Sequence, residues 1–199
     1  MPDQSVHILA RHANALEDVE NFGKNDPYVW FTLDLEDKNA HGTTSTKNNA
    51  GNNVEWDEVV VLDNYDASRH HNLYVEVFDK EAGLDQIIGY ATIPLHQVVS
   101  AHNHSLKAKF DLLNTDGKQK GTISLTITII DSDRSGEAWA NDGAEVKGES
   151  TDDAKHQDRI GSITRNEKVG DAAAVGAGLA LLGIGVKLAK GRGAKKADA

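Results

Sequence analysis

Apolar residues recur at alternate positions in a series of short runs through the first two thirds of the chain, and clusters of Gly, Asn and Asp separate the runs. The runs cover residues 6–10, 28–33, 42–47, 58–62, 73–78, 89–94, 108–112 and 121–130. Most are rich in β-branched and aromatic residues, which suit a half-buried pleated surface. The last is the strongest: Ile123, Leu125, Ile127 and Ile129 share one face, and threonines take most of the other. Short strands broken by turn residues, with hardly a helix signal among them, predict an all-β fold. The expected architecture is an eight-stranded antiparallel Greek-key β-sandwich over residues 1–131.

The pattern stops at Asp131. Residues 132–168 hold few apolar side chains and many acidic ones, with Gly and Ser between them, and read as a disordered acidic linker. Trp139 is the large hydrophobe there, expected to pack loosely on the sandwich or to stay exposed. Residues 169–199 form a third region, a tail with helical potential: Ala172 to Val186 carries no charge, and Lys187, Lys190, Arg192, Lys195 and Lys196 follow. Fifteen uncharged residues fall short of the roughly 20 that span a bilayer as a helix. Their apolar positions run nearly all round a helical wheel. Two readings stand side by side, a reversible membrane-associating or self-associating tail with a basic cap, and a mobile Gly/Ala-rich extension.

Charge sharpens this division. The net charge is −10, and residues 1–131 carry 10 Lys and Arg against 20 Asp and Glu, whereas residues 159–199 carry 8 against 3. An acidic body argues against nucleic acid as a partner. The chain has no cysteine, which excludes a disulfide framework and a thiolate metal site and fits a reducing compartment. The first residues lack the apolar core of a secretory signal, so cytoplasmic residence is expected.

Four short motifs in chain order carry a family resemblance. Lys24-Asn25-Asp26-Pro27-Tyr28-Val29 resembles S-D-P-Y-V, and Asn53-Val54-Glu55-Trp56-Asp57-Glu58 resembles N-P-x-W-N-E with Val54 in place of proline. Val77-Phe78-Asp79-Lys80-Glu81 resembles V-x-D-x-D, and Ile88-Gly89 with Ile93 and Leu95 resembles I-G-x-x-x-I-x-L. Together they make residues 6–131 resemble a C2 domain, the lipid-binding module of conventional protein kinase C and the synaptotagmins. The chain lacks an extra leading strand before the first motif, so it is similar to the circularly permuted, phospholipase-like type.

The resemblance implies a Ca2+ site on loops at one end of the sandwich. The family's first loop reads D-x-x-G-x-x-D, and here Glu20 and Asp26 hold those places; in the later loop the matching residues are Asp79, Glu81 and either Asp85 or Gln86. Asp26 and Asp79 match without substitution, and the longer Glu side chains imply a weaker site. A bound cation would reverse the field of the crowded acids and draw the loops to anionic phospholipid. Val19, Phe22 and Leu84 are the side chains expected to enter the bilayer, with Lys187, Lys190, Arg192, Lys195 and Lys196 as a second contact. Family members that use a lysine-rich concave face offer a poor precedent, since that region carries Lys47 amid Glu55, Asp57 and Glu58.

Enzyme readings rank low. His41, His70, His71, His102 and His104 sit in polar loops, and neither a nucleophile elbow nor a phosphate-cradling glycine motif is present. The expected function is therefore a calcium-responsive membrane adaptor, cytoplasmic and peripheral at membranes. The alternative is a calcium-independent scaffold for a protein partner, with any membrane contact made by the tail.

Overall fold

The computed structural model describes residues 4–20, 23–37, 40–131 and 143–170, the last four by backbone alone. Eight strands follow in order: β1 (Gln4–Asn14), β2 (Pro27–Thr32), β3 (His41–Thr43), β4 (Val54–Tyr65), β5 (Asn72–Asp79), β6 (Gln86–Pro94), β7 (Ser105–Leu113) and β8 (Gln119–Asp131). A one-turn helix, α1 (His96–Val99), follows β6. Each expected run falls on one of the strands, the second overrunning β2 by Leu33 and the third matching only in part. They pair antiparallel in the order β3-β2-β5-β6-β7-β8-β1-β4. Strands β6 and β7 meet at a single bridge, Tyr90 to Leu113. The path turns over at that weak seam, which sets β3-β2-β5-β6 against β7-β8-β1-β4 as the two layers of a sandwich.

Alternation decides what lies between the layers. Phe31, Leu73, Val75 and Val77 from one layer and Ile8, Phe110, Leu125 and Ile127 from the other are fully buried in one core cluster. The strands of the first layer then turn Trp30, Tyr74, Glu76, Phe78 and Tyr90 to its outer face, where Glu76 pairs in register with Trp30 and Tyr90. An open sheet face of this kind would be solvated, yet Glu76 is completely buried.

The cover comes from the stretch expected to be a disordered linker, and here the structure corrects the expectation. A short strand β9 (Val146–Lys147) runs parallel to β7, and a helix α2 spans Ala154–Gly170. Its first helical turn is capped by Asp153, whose carboxylate accepts the His156 backbone N–H at 2.9 Å. Residues 148–151 close the weak seam of the sandwich: Gly148 N–H donates to Lys109 C=O at 2.9 Å, and Thr151 N–H donates to Thr92 C=O at 2.9 Å. Gln97 of α1 reinforces it by exchanging two side-chain bonds with the Glu149 backbone, at 2.9 and 3.0 Å. Polarity misled the sequence reading, because few apolar contacts are needed where backbone pairing and one ionic anchor carry the attachment.

Gly148 shows how closely this segment is seated. A Cβ there would lie 2.1 Å from Cε1 of Phe110, a ring with no exposed surface. Gly148→Val is therefore expected to lower stability by about 1–3 kcal/mol. Urea denaturation checks this, and an unchanged midpoint would mean that the segment does not rest on β7. Trp139, the second membrane contact from Lys187 to Lys196 and the uncharged run 172–186 lie outside the described residues.

Candidate metal centre

Three loops meet at one end of the sandwich: β1 to β2, β3 to β4 and β5 to β6. The first is stapled by Asn25, fully buried, whose Nδ2 donates to Glu17 C=O at 2.7 Å while its Oδ1 accepts Val19 N–H at 3.2 Å. Asp26 ties that loop to its neighbours. Its carboxylate accepts the Asn49 N–H, and its carbonyl accepts the Lys80 N–H at 3.1 Å. Its own N–H donates to Asp79 Oδ1 at 2.5 Å. The D-P dipeptide so noticeable in the sequence is thus first of all a brace between loops.

Glu20, Asp79 and Glu81 each bring a carboxylate oxygen to within 4.8 Å of the others. Asp79 ends β5 with no exposed surface, and its Oδ2 has no hydrogen-bond partner among the described residues. A buried, unpaired carboxylate oxygen is expensive unless something cationic completes it. Burial and the charges of Glu20, Glu81 and Asp26 push the Asp79 carboxyl up to about 6, although the Asp26 N–H opposes them. Glu81 is raised for the same reasons, burial first and then Glu20. This is an all-oxygen, anionic donor set under mutual repulsion. It fits a hard divalent cation such as Ca2+, which takes six to eight oxygens and tolerates irregular geometry, with water completing the shell.

The remaining acids take other places. Asp85 uses both oxygens to close its own loop, accepting from Tyr28 Oη at 2.8 Å, Lys80 Nζ at 3.0 Å and Glu81 N–H at 3.1 Å. Burial and Asp85 in turn drive the Tyr28 phenol strongly upward. Asp26 stands close enough to raise Asp79 but outside the group of three. Of the side chains expected to enter a bilayer, Val19 is partly buried against the core, Leu84 is half-buried, and Phe22 lies outside the described residues. Lys47 is engaged by Glu58 at 2.7 Å, so it offers no free cation to a lipid headgroup.

A family model described as C2 domain matches residues 4–112. The chain belongs to the C2 domain family. Its last strand, β8, lies between β1 and β7. Among solved structures this C2 domain is similar to a C2 domain of plant extended synaptotagmin 1, at 25% identity and a TM-score of 0.54, over 65% of this chain and 95% of that domain. Among curated proteins of Arabidopsis thaliana it is 29% identical over 131 residues to a calcium-dependent lipid-binding protein, covering 63% of this chain and 25% of that protein. It is also 29% identical over 99 residues to 16 kDa phloem protein 2, covering 49% of this chain and 63% of that one. The chain thus spans about a quarter of the first relative and under two thirds of the second.

A second constellation on this C2 domain escaped the sequence reading. Glu76, at the centre of the outer sheet face, accepts two hydrogen bonds from Arg159 of α2, at 2.7 Å from Nε and 3.1 Å from Nη2. His156 Nε2 lies 3.2 Å from the same carboxylate, and its Nδ1 lies 2.8 Å from Thr92 Oγ1. The imidazole sits edge-on between Tyr74 and Tyr90, and the Arg159 guanidinium stacks 4.5 Å from the Trp30 ring centroid. Burial alone would raise Glu76; the hydrogen bonds from His156 and Arg159, with the Arg159 charge, outweigh it and hold the carboxyl below its usual range. The legible signal was helical spacing: His156, Arg159, Ile160 and Ile163 share one face, with a capping aspartate before them.

Proposed function

We propose that this protein docks on anionic phospholipid membranes through the end of its sandwich that carries Glu20, Asp79 and Glu81, and that Ca2+ controls the docking. The unpartnered Asp79 Oδ2, buried beside two further carboxylates, carries the reading. The cation supplies positive charge that both cancels the repulsion among these acids and attracts lipid phosphate. Glu20, Asp79 and Glu81 hold it, Asp26 fixes the loops that present them, and Lys80 with Asp85 keeps the third loop closed. One relative, a calcium-dependent lipid-binding protein of Arabidopsis thaliana, supports the same activity. Among the described residues no helix is long and apolar enough to cross a membrane, which suits contact from one side. Docking of this kind makes and breaks no covalent bond, and the role is that of a non-enzymatic adaptor.

Pelleting the full chain with phosphatidylserine vesicles, in calcium or in chelator, tests this. Binding only in calcium is the expected result. Equal binding in both would move membrane contact to the tail and leave the sandwich as a scaffold for a protein partner. Protons compete at the same carboxylate: with Asp79 raised to about 6, it must lose a proton to bind metal below that pH. Apparent calcium affinity is expected to fall about tenfold between pH 7.5 and 5, measured by calorimetry, since one proton-linked site changes tenfold per pH unit below its pKa.

A further inference from the structure

The side chains of His156, Arg159, Ile160 and Ile163 carry α2 onto the outer face of β2, β5 and β6. Their spacing, i, i+3, i+4 and i+7, is the pattern by which an amphipathic helix anchors in a groove of another protein. The floor they meet is built apart from the main core. Ile160 and Ile163 pack with Trp30, Phe78, Ile87 and Tyr90 in a cluster separate from the one between the two layers. At its centre stands Glu76, completely buried, and a carboxylate in that position accepts only a helix that brings a cation to it. Arg159 does so with two hydrogen bonds while its guanidinium lies over Trp30, and no neutral side chain reproduces both contacts.

Helix α2 is itself a weak occupant of this groove. Gly161 sits in its middle, where glycine disfavours the helix about fivefold relative to alanine. Packing does not ask for glycine there: a Cβ would meet Arg165 Nη1 at 3.6 Å, an ordinary contact with the tip of a flexible side chain. Ser162, Thr164 and Asn166 beside it are poor helix formers as well. Lys155 pairs with Glu36 at 3.2 Å between two exposed side chains, and Tyr74 Oη stands 3.5 Å from the Asp153 carboxylate; neither adds much. We infer that this face is a recognition groove for an arginine-bearing amphipathic helix of a partner protein, and that α2 is its built-in occupant, which the partner helix displaces. The partner helix carries arginine opposite Glu76, a hydrogen-bond donor three residues earlier, and aliphatic residues one and four positions after the arginine. A better helix former at the position of Gly161 gives it the advantage over α2. The groove lies on the flank of the sandwich, so the inference holds whether or not the acidic loops bind calcium.

A fluorescent peptide of residues 152–168 is titrated, in chelator, into full-length native, Arg159→Ala and Arg159→Glu chains, with anisotropy as the readout. Both variants free the groove, the second by setting a carboxylate against Glu76, and proteolysis within residues 143–170 monitors the release. The peptide is expected to bind the variants at least about tenfold more tightly than the native chain, where α2 competes. Arg159→Ala within the peptide should weaken binding about thirtyfold or more, as when one partner of a buried charge pair is removed. Gly161→Ala within the peptide should tighten binding about fivefold. No binding to either variant at about 1 mM peptide, a weak limit for any specific site, overturns the groove. Binding that ignores the peptide's arginine overturns recognition through Glu76, and weaker binding of the Gly161→Ala peptide overturns the helical mode. A native chain that dimerises by light scattering, with Arg159→Ala abolishing the dimer, overturns the separate partner in favour of α2 from a second copy.

Discussion

Asp79→Asn is expected to weaken calcium binding by about tenfold or more, by calorimetry, while making the metal-free fold more stable. Both effects come from one oxygen. Asp79 Oδ2 is buried without a partner, and the carboxylate faces Glu20 and Glu81. Its folded pKa, about 6, lies above the ordinary 3.8, so the folded chain holds this proton more tightly than the unfolded chain. The destabilisation is therefore fully present above pH 6 and fades as the pH falls from 6 toward 3.8. A shift of this size corresponds to something on the order of 2 kcal/mol at neutral pH. In chelator the variant should melt higher than the native chain at pH 7.5, with the gap narrowing by pH 5. A variant that melts lower at both values would show that Asp79 is held mainly by the Asp26 N–H, as a structural brace.

Arg159→Ala should produce the second large effect, confined to one element. Removing one partner of a buried ion pair costs about 3–5 kcal/mol when the other charge stays buried. Here Glu76 has an escape: if α2 lifts away, the carboxylate meets water. The helix contributes chiefly Ile160 and Ile163 to the apolar contact, a gross gain of about 1.5–3 kcal/mol each. That gain is too small to hold the helix against an exposed-charge alternative. The expected outcome is local release, seen as faster proteolysis within residues 143–170 and a changed Trp30 fluorescence, with the unfolding midpoint of the sandwich little altered. Undiminished protection of α2 would show that His156 alone satisfies Glu76.

The two variants also mark the boundary of what the chain discloses before it folds. Leu73, Val75 and Val77 announce β5 because inward alternation is a local property, and the same holds for Ile123 to Ile129 in β8. Glu76 sits in that pattern as an ordinary outward residue; nothing local distinguishes a solvated glutamate from one covered by a helix 80 residues later. The linker misreading has the same origin, since α2 draws its stability from partners on β2, β5 and β6. At the candidate metal centre, the resemblance named Glu20, Asp79 and Glu81, and the fold brings their carboxylates together. The resemblance could not tell that Asp85 turns back to Tyr28 and Lys80, or that Val19 rests against the core, because both depend on how three separate loops close over one another.

The single bridge between β6 and β7 has a practical consequence for any shortened version of this protein. A chain cut after Asp131 keeps all eight strands but loses the residues that sew that seam, and it uncovers Trp30, Tyr74, Phe78 and Tyr90 around a bare carboxylate. Such a fragment would present an aromatic flank and an open strand border to other molecules, inviting self-association. The smallest faithful fragment accordingly extends through α2, some forty residues beyond the point where the β-pattern in the sequence ends.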